Sequence, residues 1–226
     1  MNLGRLIEFA RRLLFGPRRD RQQAWFRLRM AAKGVDLRYA SLSELGLSEE
    51  HCYWHANSGG PALRDVLSRL PISATDIAID VGCGKGGAMI TMSFFPFRRV
   101  DGVEISPRLA ETARQNLRRL RVHNASVFCC DAGEFREFDP YTFVYMFNPF
   151  PESVMAEVMN NLQDSLIHQP RLLTLVYFNP LYHSCVVENG FETVGEYTDA
   201  GHPFRIYRPS APGRGPRGVG LGARTL

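Results

Sequence analysis

Ile77-Ala-Ile-Asp-Val-Gly-Cys-Gly-Lys-Gly-Gly87 decides how the rest of the chain is read. A short apolar run passes straight into glycines, and a helix-compatible stretch follows over 86–93. Glycines at such a junction let the backbone turn tightly and approach a ligand that a Cβ would hold off. The pattern alone is ambiguous, because Gly82, Gly84 and Gly87 also satisfy the dinucleotide spacing GxGxxG, a weak signal by itself.

Working outward, apolar strand-like runs recur at 77–81, 99–104, 126–130, 142–147 and 171–178. Helical patterns fill the gaps at 86–93, 107–119, 152–168 and 181–189, and a further helix is expected near 61–70. Strands alternating with helices imply βαβ units and a mostly parallel sheet with helices on both faces. The end departs from that rhythm. The runs 191–197 and 204–208 are joined only by Thr198-Asp-Ala-Gly-His-Pro203, too short for a helical crossover, so they form an antiparallel hairpin. The expected fold is α/β, with seven strands and a C-terminal antiparallel hairpin.

Three acids stand at strand ends. Asp80 lies two residues before the first glycine, where a carboxylate suits an ammonium group and repels a pyrophosphate. Glu104 ends the second strand, placed to accept ribose hydroxyls, and Asp131 ends the third, placed to accept an adenine amino group. The bland alternative for each is a helix cap or a solvated loop residue.

The segments DVGCGKG, GVEIS, CCDAGEF and MFNPFP resemble, in order and spacing, the signature segments of class I S-adenosylmethionine-dependent methyltransferases. The resemblance spans residues 50–208 and includes the Rossmann-like sheet with its terminal hairpin. Within that class IDVGCGKG, VDGVEISPRL and YMFNPF are most similar to bacterial methyltransferases distantly like the Dot1 type. The resemblance implies S-adenosylmethionine as cofactor. Asp80, Gly82, Cys83, Gly84 and Gly86 would border its methionine part. Glu104 and Ile105 would meet the ribose side, and Asp131 and Ala132 the adenine. Cys83 is read as a packing residue of the loop and not as a nucleophile.

The fourth strand runs into Asn148-Pro-Phe-Pro151, which resembles the Asn-Pro-Pro-Tyr/Phe segment of nitrogen-methylating enzymes with Phe150 in place of the second proline. The resemblance implies that the Asn148 carbonyl orients a target amine, beside the cofactor, and that Phe150 lines the pocket. Tyr177-Phe-Asn-Pro180 repeats the motif at the next strand end, where Asn179 is either a substrate contact or a plain turn former. A hydroxyl acceptor would need a base, for which His55, His183 and His202 are the candidates. Tyr53, in the cluster Cys52-Tyr-Trp-His55, is a candidate pocket wall.

Charge is uneven behind the net +4. Residues 1–33 hold nine Lys/Arg against two acids, 34–208 hold fifteen against twenty-one, and 209–226 hold three Arg and no acid. The body is therefore acidic, which argues against a broad nucleic-acid face, although a basic arm could assist binding. The five cysteines have no CxxC or His/Cys spacing suited to a metal. No metal, reduced thiols, no transmembrane segment and a cytoplasmic location are expected.

Residues 1–60 read as a helical cap extension, 61–208 as the methyltransferase domain, and the Gly/Pro/Arg-rich 209–226 as a disordered tail. Leu3, Leu6, Ile7, Ala10, Leu13 and Leu14 have helical spacing. They suit a lid helix, a membrane-surface helix or a presequence. The leading functional expectation is methyl transfer to a small-molecule acceptor, nitrogen before oxygen. A protein or RNA acceptor reached through the basic arm, and a non-catalytic cofactor-binding scaffold, are the alternatives. An NAD-dependent oxidoreductase is opposed by Asp80 and the hairpin. The oligomeric state is not legible.

Overall fold

The computed structural model describes residues 16–39, 57–147, 150–199 and 202–210. In chain order these form α1 (Arg18–Ala32), α2 (Pro61–Leu67), β1 (Ile77–Val81), α3 (Gly87–Met92), β2 (Arg99–Val103), α4 (Pro107–Arg119) and β3 (Val127–Phe128). Then come β4 (Phe143–Phe147), α5 (Glu152–His168), β5 (Thr174–Phe178), α6 (His183–Glu188), β6 (Phe191–Asp199) and β7 (His202–Pro209).

The seven strands lie in the order β3-β2-β1-β4-β5-β7-β6. β1 to β5 run parallel, and β7 inserts antiparallel between β5 and β6. This is a Rossmann-like sheet that ends in an antiparallel pair. Chain order reverses at β1, with β2 on one side and β4 on the other, so the carboxyl ends of β1 and β4 border the switch-point crevice where such sheets hold ligands.

Period-two alternation gives the sheet two buried faces. Ala78, Val100, Phe143, Tyr145, Val176 and Phe204 pack in one core with residues of α1 to α4. Ile79, Val81, Val103, Val144, Met146, Leu175 and Tyr207 pack in the other with α5 and α6. The strands are apolar on both sides because both faces are covered.

Two elements differ from the sequence expectation. The third strand is only Val127–Phe128, since this edge strand pairs solely with Gly102 and Val103 of β2. Residues 18–32, not singled out in the sequence, form a helix. Only Ala24 and Met30 are buried in it, so its apolar stripe is too thin to register as periodicity. Arg19 ties this helix to Asp65 of α2 and to Asp199 at the end of β6.

Candidate functional site

The loop after β1 is shaped by its own backbone. Gly82 and Gly84 have φ of 81° and 54°, a region where a side chain is strained. The N–H groups of Gly82 and Cys83 both donate to the Val103 carbonyl, which draws the loop to the end of β2. There Glu104 grips it from the other side. One Glu104 carboxylate oxygen accepts from Gly84 N–H at 2.8 Å and the other from Ser106 N–H at 2.9 Å. Ser106 then caps α4, its hydroxyl accepting from Leu109 N–H. Burial pushes the Glu104 carboxyl up, and these two backbone bonds pull against that shift.

Asp80, on β1 directly beneath this loop, is buried as deeply. Among the described residues none donates a hydrogen bond to its carboxylate, and burial followed by the charge of Glu104 raises its pKa well above the ordinary value. A buried carboxylate left without partners costs several kcal/mol. Tyr145 stands opposite Asp80 on β4. Its hydroxyl is fully buried, lacks a hydrogen bond of good geometry, and is flanked by Ser58 and the charge of Asp80. Sequence reasoning missed Tyr145, because only strand register brings it beside Asp80.

Asp131 opens a tight turn, accepting from Gly133 N–H at 2.8 Å through one oxygen, and Ala132 is buried next to it. Ile105 is half-buried between Glu104 and Ser106. The Cys83 side chain is buried over Gly102, and burial, then the charges of Asp80 and Glu104, push its thiol up. That is the opposite of what a nucleophilic thiolate requires.

The acceptor side divides differently. Asn148, Tyr53 and His55 lie outside the described residues. Phe150 is buried in the core shared by Ala132, Phe135 and Val154, on the sheet face away from Tyr145, so the structure does not bring it to the Asp80 side. On the Asp80 side, Phe147, Phe178 and Phe204 form a stack, with ring centroids 4.6 Å and 4.1 Å apart. Phe147 and Phe178 are the residues just before the two Asn-Pro pairs. The repeated Phe-Asn-Pro was therefore the available signal, with the aromatic partner overlooked. Asn179 has φ 51°, and its N–H donates to the Pro203 carbonyl at 2.7 Å. That is a turn former's role, tying β5 to β7. His183 Nδ1 pairs with the Tyr207 hydroxyl at 3.0 Å, and Tyr207 belongs to the opposite core. The side chain of His202 is outside the described residues.

Residues 78–168 match the methyltransferase-domain family. Curated relatives include a trans-aconitate 2-methyltransferase of Methylobacterium radiotolerans. It is 40% identical over 57 residues, covering 25% of this chain and 22% of the relative. A release factor glutamine methyltransferase of Vibrio cholerae is 43% identical over 51 residues, covering 22% and 18%. The chain thus spans about a fifth of the length of these relatives. An RNA methyltransferase from Salinibacter ruber, solved with S-adenosyl-L-homocysteine, superposes with TM-score 0.53 at 17% identity over 66% of this chain and 91% of that one. The ribosomal protein L11 methylase from Lactobacillus delbrueckii gives 0.53 at 12% identity over 71% and 82%.

The family match covers residues 78–168, and the superpositions support a Rossmann-like methyltransferase fold for the sheet. The residues at its strand ends fit S-adenosylmethionine. The donor-poor Asp80 suits an ammonium, and each Glu104 oxygen keeps a lone pair beyond its backbone bond. Packing accounts for Gly87, the third glycine of the ambiguous dinucleotide pattern. A Cβ there would fall inside the Asn57 side chain, and Gly59 meets the Gly87 carbonyl. Gly87 therefore serves packing of the 57–60 segment over α3, which Gly60 N–H fastens to the Thr91 hydroxyl at 2.8 Å.

The segment after α1 is fastened to the same loop. Asn116, fully buried on α4, accepts from Asp36 N–H and donates to the carbonyls of Asp36 and Lys85, each at 2.9 Å. The Lys85 ammonium lies 3.2 Å from the Asp36 carboxylate, and Arg38, then Lys85, hold that carboxyl well below the usual range. Two stretches of the N-terminal extension thus touch the glycine loop.

Proposed function

We propose that the protein transfers the methyl group of S-adenosylmethionine to a small-molecule acceptor, nitrogen favoured over oxygen. The observation that carries the reading is Asp80: a buried carboxylate, with Glu104 as its charged neighbour and no donor among the described residues. It is suited to a cation at the carboxyl end of β1. S-adenosylmethionine supplies an ammonium there and, on its sulfonium, an electrophilic methyl.

In this reading Asp80 holds the ammonium, and the backbone of Gly82, Cys83, Gly84 and Gly86 cradles the methionine part. Glu104 accepts the ribose hydroxyls through its remaining lone pairs with Ile105 beside it, Ala132 flanks the adenine, and Asp131 accepts its amino group. Asn148 orients the acceptor, with Tyr53 as a wall. Phe147 and Phe178 offer an aromatic surface to a planar or cationic acceptor. A neutral amine carries its own lone pair, so orientation and exclusion of water suffice. A hydroxyl would need a base. His183 is engaged with Tyr207 on the other face, which leaves His55 as the candidate. Residues 1–60 would cap the 61–208 domain, though 1–15, 40–56 and 211–226 lie outside the described residues, and the kinship to the Dot1 type belongs to this proposal as well.

The acidic 34–208 body and the trans-aconitate methyltransferase relatives favour a small acceptor. A macromolecular acceptor is favoured by one observation, the nine Lys/Arg against two acids in residues 1–33. Labelled-methyl transfer to a panel of amines, carboxylic acids, RNA and ribosomal protein, at two salt concentrations, separates the readings. Turnover of a small amine with little salt dependence supports the proposal. Turnover confined to RNA or protein, falling steeply with salt, replaces it with the second.

A further inference from the structure

Apart from the cofactor site, the outer side of α1 carries a second surface. A groove of about 490 Å³ runs between α1, the start of α2 and the end of α3, with Trp25, Phe26, Met30 and Phe94 in its wall and Arg29, Lys33 and Arg64 around it. Trp25 is 51% and Phe94 66% exposed, a poor use of two large aromatics in a surface with nothing to cover. A second groove of about 390 Å³ shares Lys33 and Phe94 and adds Arg121 and His123. Among the described residues, neither groove has an acid in its wall.

Helical geometry extends the pattern. At 100° per residue, Arg18, Arg21, Trp25, Leu28, Arg29 and Lys33 fall within one side of α1, while Asp20 lies on the other. Arg19 is turned away to Asp65 and Asp199, so both of those acids are already neutralised. The result is an aromatic and aliphatic strip inside a cationic border. It lies at the far end of α3 from the glycine loop, so occupying it leaves the cofactor crevice open.

We propose that this face of α1 and α3 docks on an anionic lipid surface, with Trp25 and Phe94 entering the headgroup boundary and Arg29, Lys33 and Arg64 meeting the acidic headgroups. Charge complementarity names the partner as an anion. The apolar groove favours lipid over nucleic acid, because acyl chains can fill an apolar groove and a phosphate backbone gains nothing from it.

The test is flotation of the full chain with phosphatidylglycerol vesicles and with phosphatidylcholine vesicles, read beside the S-adenosylhomocysteine affinity of the same samples. The expected result is binding to the anionic vesicles alone. The triple variant R29E/K33E/R64E should lose at least tenfold in vesicle affinity, and Trp25→Ala should weaken binding several-fold, both with unchanged S-adenosylhomocysteine affinity. In a Trp54→Phe background the Trp25 emission should move to the blue on anionic vesicles. Absence of vesicle binding overturns the proposal, as does equal binding to both vesicle types. Binding that survives charge reversal places the contact elsewhere in the chain. Capture by RNA in competition with vesicles assigns the face to a polyanion instead, and so also contradicts it. A triple variant that loses its fold betrays itself by losing S-adenosylhomocysteine binding, and the Trp25 emission shift in the otherwise unaltered face then decides.

Discussion

Two aspartates on neighbouring strands, Asp80 on β1 and Asp101 on β2, are buried to nearly the same degree, 3% and 1% exposed, yet their surroundings are opposite. Asp101 accepts from Arg99 Nε at 2.6 Å, from the Tyr141 hydroxyl at 2.9 Å and from Ser126 N–H at 2.9 Å. Its charge is used up within the fold, joining β2 to the chain entering β3 and β4. Asp80 receives no donor among the described residues and has an acid, Glu104, for a charged neighbour. Burial with donors marks a structural carboxylate. Burial without them, at the carboxyl end of a parallel strand, suits the ligand role proposed for Asp80, at a cost to stability.

The strongest way to break this comparison is to remove the structural member. Asp101→Ala strands the Tyr141 hydroxyl and the Ser126 N–H, and urea unfolding should report a loss of about 3–5 kcal/mol. A loss below about 1 kcal/mol would make the two sites alike. Next in size, Asp80→Asn should weaken S-adenosylhomocysteine binding ten- to a hundredfold, about 1.5–3 kcal/mol for a bond to a charged group. Its urea midpoint should stay or rise, since a buried charge is removed. Reduced stability with intact affinity would exchange the two roles.

The pH dependence sharpens the contrast further. Because the Asp80 pKa is raised on folding, the native state keeps a proton that the unfolded chain releases from about 3.8 upward. The stability this group contributes is full below 3.8 and is lost as pH climbs through its raised native value. An ammonium ligand prefers the ionised form, so its affinity should grow over the same rise, by at most about tenfold per pH unit. Thermal melts across pH, with and without S-adenosylhomocysteine, should show both trends in the wild type and neither from this site in Asp80→Asn. The smallest effect is expected at Tyr145→Phe. That change removes a hydroxyl without a hydrogen bond of good geometry among the described residues, so the melting temperature should not fall. A clearly lower melting temperature would show the hydroxyl was bonded all along.

The aspartate pair also shows what the sequence can and cannot carry. Asp80 was legible because a strand running into glycines fixes where its carboxyl end lies. The final hairpin was legible from a connection too short for a crossover. Asp101 drew no notice, since its three donors come from residues 99, 126 and 141, and nothing local joins them. Tyr145 and the Phe147, Phe178 and Phe204 stack depend on register between strands far apart in the chain, which no periodicity encodes. Residues 18–32 escaped attention because burying only Ala24 and Met30 leaves no apolar stripe to read. Phe150 was placed by motif likeness alone; it lies beyond the end of β4, buried in the same core as Ala132, and its role remains a proposal. Asn148, Tyr53 and His55 lie outside the described residues and remain proposals.

The most direct test of the account is calorimetric titration of the wild type and of Asp80→Asn with S-adenosylmethionine, S-adenosylhomocysteine and NAD. The account predicts that both adenosyl ligands bind the wild type, that NAD does not, and that Asp80→Asn loses at least tenfold toward both adenosyl ligands while staying folded. NAD binding, no adenosyl binding, or an Asp80→Asn protein with unchanged affinity would contradict it.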